Sequence, residues 1–187
     1  MEKVLFINAC VRPNSRTLEL AKHVLEKLSC EIEEIKLYEK ELSPLDLECM
    51  QIRHDAASRK DFSNSVFDLA KQFASATAIV IAAPYWDLMF PSLLKTYIEN
   101  ITVSGLTFVY GQNGRPQGLC NAKRLIYVTT SGGPIIHNFG YEYVQALAKG
   151  FFGVEDVQCI KAEGLDIYGS NVEDILNKAK DYVDSKF

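Results

Sequence analysis

A chain of 187 residues, 48% apolar and 24% charged, is long enough to bury one core without crosslinks or metals and too evenly mixed to be disordered or fibrous, so a single domain over 1–187 is expected. Twenty basic against 24 acidic residues give a formal charge of -4, and the mixture of signs offers no basic stripe for a phosphate backbone, which argues against nucleic acid as a partner. The longest apolar run, near Ala78 to Ala83, is far shorter than the ~20 residues that cross a bilayer, and the opening MEKVLFINAC does not read as a signal peptide. Cys10, Cys30, Cys49, Cys120 and Cys159 are odd in number, with no CxxC pair and no histidine cluster beside them, so neither a disulfide framework nor a metal site is expected. The combination points to a cytoplasmic protein with reduced thiols.

Along the chain, KVLFINA (3–9) is a short apolar run with β-branched residues, the mark of a buried strand. SRTLELAKHVLEKL (15–28) follows with Leu18, Ala21, Leu25 and Leu28 on one helical face. EIEEIKLY (31–38) reads as a second strand, and 42–61 as a polar, irregular excursion before a helix over 63–75. Thr77 to Ala83 gives the third strand, PSLLKTYIENI (91–101) a helix, and 105–123 a long glycine-containing connection. RLIYVTT (124–130), a helix over 141–152, a strand over 157–162 and a helix over 171–183 complete the series. Strands alternate with helices, which predicts an α/β fold: a flavodoxin-like three-layer sandwich, its five parallel strands in the order 2-1-3-4-5 with helices on both faces. Connections as long as 42–61 and 105–123 are usually functional or interfacial.

In such sheets ligands bind outside the carboxyl ends of the strands, near the point where strand order reverses. NACVRPNSRT (8–17) has no glycine, which disfavours the dinucleotide turn of a Rossmann site. It places Ser15, Arg16 and Thr17 at a helix start, where free amides and hydroxyls suit one terminal phosphate; on these residues alone, a simple helix cap with a solvated Arg16 is as good a reading. Between Pro84 and Pro91 the chain must turn at the ligand edge while carrying Tyr85, Trp86, Leu88, Met89 and Phe90, either a wall for a flat ring or a packing surface. TTSGGP (129–134) adds the hydroxyls of Thr130 and Ser131 and the compact Gly132 and Gly133. A phosphate anchor, an aromatic wall and a glycine-lined rim on one edge fit flavin mononucleotide (FMN) best.

These stretches carry a resemblance over nearly the whole chain. VLFINAC with NSRT, IVIAAPYWDLMFPSLLKTYIENI with SGLTFVYGQNGRPQGL, KRLIYVTTSGG and FFGVEDV are similar to the FMN-dependent NAD(P)H azoreductase and quinone reductase family. The resemblance implies that Cys10, Ser15, Arg16 and Thr17 surround the FMN phosphate. It places Pro84, Tyr85, Trp86, Asp87 and Leu88 beside the ring, and Thr130, Ser131, Gly132 and Gly133 along its pyrimidine side. It also implies a homodimer with the active site at the subunit interface, where Phe108 and Tyr110 contribute to substrate binding. Two positions depart from the family's habit: Cys10 stands where serine is frequent and Asp87 where asparagine is frequent. An aspartate accepts hydrogen bonds only, so an Asp87 side chain aimed at the ring would disfavour a reduced, anionic flavin.

The implied chemistry is the cofactor's: NAD(P)H gives two electrons and leaves, and a quinone or azo compound takes them, in a ping-pong scheme. That scheme needs no side-chain nucleophile, and none of the usual motifs is present, neither GxSxG nor metal-spaced histidines nor a clear carboxylate pair, so no catalytic side chain is assigned. His137 is a candidate proton or hydrogen-bond donor to the acceptor, although a loop histidine is more often solvated. Lys95 and Glu99 have the spacing of a surface helix pair. The alternatives are a flavodoxin-type electron carrier, which would usually be more acidic, and a flavin-free interaction protein on the same fold.

Overall fold

The structure, a computed structural model, describes residues 3–28 and 30–187. Five parallel strands form the central sheet: β1 (Lys3–Asn8), β2 (Glu31–Lys36), β3 (Ala78–Ala82), β6 (Arg124–Thr130) and β7 (Asp156–Ala162). Their spatial order is β2-β1-β3-β6-β7, which is the expected 2-1-3-4-5 when the sheet's own strands are counted along the chain. The two small strands β4 (Phe108–Tyr110) and β5 (Pro116–Gly118) make a separate antiparallel hairpin.

Alternation along the strands divides the core in two. Val4, Phe6, Val80, Ile126 and Val128 face α1 (Arg16–Lys27) and α6 (Val172–Lys186). Leu5, Ile7, Ile79, Ile81, Leu125 and Tyr127 face the other layer, with α2 (Leu47–Arg59), α3 (Asp68–Ser75), α4 (Ser92–Ile101) and α5 (Phe139–Leu147). Each central strand is covered on both sides, so its sequence reads as a continuous apolar run rather than an alternation.

Two elements depart from the sequence expectation. The excursion 42–61 contains α2, which buries only Ala56 fully and so leaves almost no amphipathic signal. Its ends are fixed locally instead: the Asp46 carboxylate accepts from the Cys49 amide at 2.8 Å, and Lys60 closes the helix in a left-handed conformation. Arg53 then ties the helix down by donating to the carbonyls of Glu99 and Thr102 at the end of α4. The second departure is the hairpin inside the connection 105–123, whose three-residue strands are too short to show a period. Among the described residues no helix is long and apolar enough to cross a membrane.

Candidate functional site

Backbone hydrogen bonds continue past the strand ends and gather the loops at one edge. Ala9 N donates to Ala82 O, Ala83 N to Val128 O, Tyr85 N to Thr130 O and Ser131 N to Ala162 O, all between 2.9 and 3.1 Å. The loops after β1, β3, β6 and β7 therefore leave the sheet side by side, and between them lies a cleft of ≈ 260 Å³.

One wall is the start of α1. Asn8 shapes the approach: it is buried, its side-chain oxygen accepts from the Cys10 amide at 2.9 Å, and its Nδ2 donates to Glu34 at 2.8 Å. The Ser15 hydroxyl caps the helix by accepting from Leu18 N at 3.3 Å, which leaves its own proton to donate, with the Cys10 thiol among the groups in reach. The amides of Arg16 and Thr17 have no intrahelical acceptor, as first-turn amides never do. Thr17 Oγ1 lies 2.6 Å from Thr130 Oγ1, and one proton suffices for that bond, so the accepting hydroxyl keeps a proton for a further partner.

A second wall is the aromatic turn, through Tyr85 and Trp86. Trp86 and Met89 exchange backbone hydrogen bonds of 3.1 and 2.7 Å, and the two residues between them, Asp87 and Leu88, have φ of 51° and 65°. This is a type I′ turn made without glycine or asparagine. Left-handed backbone costs about 1–2 kcal/mol for an ordinary side chain such as Leu88; strain of this kind concentrates at functional sites. The Tyr85 hydroxyl donates to the carbonyl of His137 at 2.8 Å, which couples the turn to the loop after β6.

The third wall is Thr130, Ser131 and Gly132. The Ser131 hydroxyl already donates to Gly133 O at 2.6 Å, so toward the cleft it has only lone pairs to offer. Neither Gly132 nor Gly133 uses a positive φ. Gly132 instead lets the Asp166 carboxylate lie close, since a Cβ there would require that exposed side chain to shift.

A family model described as flavodoxin-like fold matches residues 2–187. The chain belongs to the flavodoxin-like fold family. Among flavodoxin-like relatives, the FMN-dependent NADH:quinone oxidoreductase 2 of Clostridium acetobutylicum is 36% identical over 189 residues, covering 94% of this chain and 93% of its own. The FMN-dependent NADH:quinone oxidoreductase of Coprothermobacter proteolyticus is 36% identical over 194 residues, covering 96% and 94%. Of solved structures, an azoreductase from Bacillus anthracis str. Sterne superposes with a TM-score of 0.84 at 26% identity, covering 100% of both chains. An FMN-dependent NADH-azoreductase from Bacillus anthracis str. Ames Ancestor, solved in complex with FMN, gives 0.82 at 25% identity, covering 100% of this chain and 97% of that one.

Within this flavodoxin-like frame, Ser15, Arg16, Thr17, Pro84, Tyr85, Trp86, Thr130, Ser131 and Gly132 all line the one cleft. Asp87, Leu88 and Gly133 stand exposed at its rim. Cys10 lies behind it, 1% exposed, its thiol directed at Ala82 O at 3.8 Å. Burial pushes that thiol up to about 11, so it is neutral at physiological pH. Phe108 is buried against Phe151 and Tyr110 is exposed, both on the hairpin and off the cleft of their own chain. His137 is exposed, stacked on Phe139 at 5.2 Å, and is not on the lining. Sequence reasoning passed over Leu165 and Asp166, which close the cleft from a fourth loop. The signal available was Gly164, a turn residue two positions after the last strand at the ligand edge.

Proposed function

We propose that the chain is an FMN-dependent oxidoreductase that passes two electrons from NAD(P)H to quinones or azo compounds, and that the cleft described above holds the flavin. The observation that carries the site is the convergence of spare hydroxyl protons, free amides and an arginine in one cleft that Tyr85 and Trp86 of the aromatic turn also line. The relatives' names supply the donor and the acceptors. FMN supplies hydride acceptance and release when bound; position and surroundings are the protein's contribution.

The residues present fit that group. Ser15, Thr17 or Thr130, and the Arg16 and Thr17 amides can donate to a phosphate, reinforced by the positive end of α1. Pro84, Tyr85 and Trp86 give a flat apolar wall, and the rigid turn holds it in place. The neutral Cys10 thiol adds no opposing charge. Asp87 is exposed on its strained turn, so its negative charge is screened by solvent. Donor and acceptor would use the same exposed face of the flavin in turn, which is the ping-pong scheme.

The chain would act as a single flavin-binding unit that pairs with a second copy. The half-exposed Tyr110 and Leu119 around the hairpin, and Leu47 and Met50 on α2, support such a partner surface. A cytoplasmic setting agrees with Cys10, Cys49, Cys120 and Cys159 being free thiols.

The purified protein loaded with FMN is expected to show flavin absorbance and to oxidise NADH or NADPH when menadione or a simple azo dye is present. A yellow protein without that turnover would leave the electron-carrier reading in its place. Tyr85→Phe is a finer probe. It removes one neutral hydrogen bond, worth about 0.5–1.5 kcal/mol, from the loop that presents His137 and Phe139. The KM for the quinone is expected to rise about 2- to 10-fold with the FMN Kd unchanged; an unchanged KM in steady-state kinetics would free the loop from this role.

A further inference from the structure

A carboxylate is an unexpected lining for an anion site. Asp166 shares the cleft with Ser15, Arg16 and Thr17, and its Oδ1 lies 2.7 Å from Arg16 Nη2. Arg16 Nη1 donates at the same time to Leu165 O at 3.1 Å. The arrangement is built into the backbone: the amides of Gly164, Leu165 and Asp166 donate to the carbonyls of Gly133, Ser131 and Gly132. Gly132 lacks the Cβ that would collide with the Asp166 carboxylate. The acid is thus fixed by the β6 rim on one side and by the first residue of α1 on the other, across 150 positions of sequence.

The consequence is electrostatic. Arg16 is the cation at the helix start, and a carboxylate in contact with it cancels most of its field beyond the pair. A phosphate monoester near neutral pH carries between one and two negative charges, so it meets Asp166 as a like charge. Arg12 also lines the cleft and is the second cation there. What remains undiminished is the set of hydroxyls, amides and the aromatic wall, none of which depends on the Arg16 guanidinium.

Resting on the flavin reading of the cleft, we propose that Asp166 is an affinity-setting residue. It partly neutralises Arg16, lowers the hold on the phosphate of FMN, and leaves the flavin bound mainly by neutral contacts and readily exchanged. Asp166→Asn keeps the shape and an oxygen acceptor for Arg16 while removing the charge. Because Asp166 is largely exposed, folding is not at stake.

The test is a fluorescence-quenching titration of wild type and Asp166→Asn with FMN and with riboflavin, which lacks the phosphate, at low and high salt. The variant is expected to bind FMN on the order of tenfold more tightly, to bind riboflavin as the wild type does, and to show a steeper salt dependence for FMN alone. FMN affinity that is unchanged or weaker in the variant, or riboflavin tightening in step with FMN, overturns the inference while leaving the flavin site standing. A wild type that binds neither flavin overturns the site and the inference together.

Discussion

Gly118→Ala is expected to destabilise the protein by about 3 kcal/mol or more, lowering Tm by roughly 6–12 °C at the ~2–4 °C per kcal/mol usual for a chain of this size. Gly118 ends β5, and a Cβ there would overlap the carbonyl of Phe152 and the amide nitrogen of Gly153. Those are backbone atoms at the end of the widened helical turn Ala148–Phe152, and Gly153 beyond it is already left-handed at φ 75°. Neither side can move like the tip of a flexible side chain, so the strain has no cheap outlet. The seam matters for function because it seats the hairpin: Phe108 packs on Phe151 at 5.0 Å and on Tyr110 at 5.4 Å. Gly150→Ala is the control, since nothing lies within 4 Å of a Cβ there. Thermal melts of both variants check the claim; equal Tm values for Gly118→Ala and wild type would mean that the two backbones are not in contact.

How much of this was readable beforehand follows from where each feature's cause lies. The sheet order was legible because strands buried on both faces leave apolar runs, and alternation with helices restricts the topology. Helix α2 was not, since one fully buried alanine produces no stripe; it is held by a cap and by Arg53 reaching the far end of α4. The three loops of the cleft could be picked out because strand ends converge in this topology. Gly164 marks the fourth loop, but the role of Asp166 within it is not legible, because it depends on Arg16 and Gly132, and neither lies near it in sequence. The type I′ turn at Asp87-Leu88 was hidden for a different reason. It lacks the glycine or asparagine that normally marks such turns, and its conformation is imposed by the reciprocal Trp86–Met89 bonds. Even the helix-start ambiguity resolves through counting protons: Ser15 is a cap as an acceptor and keeps its proton as a donor.

The same proton count gives the other large effect. Thr17 and Thr130 are nearly buried, at 1% and 8% exposure, and bind each other at 2.6 Å across the cleft floor. Between them they have two hydroxyl protons and one mutual bond, so one proton is left to hold a phosphate oxygen. Thr17→Val preserves volume but removes that donor, or the partner that orients it, and strands the Thr130 hydroxyl in a place with little water. Hydrogen bonds to charged groups are worth about 1.5–3 kcal/mol, so FMN affinity is expected to fall about 10- to 100-fold. Riboflavin, without a phosphate, should lose little. Thr17→Ser restores the hydroxyl and is expected to bind FMN within about threefold of wild type, which separates loss of the donor from loss of packing. Titrations of the three proteins with both flavins decide the matter: if Thr17→Val holds FMN as tightly as wild type does, the hydroxyl pair is a structural staple and the phosphate is held elsewhere.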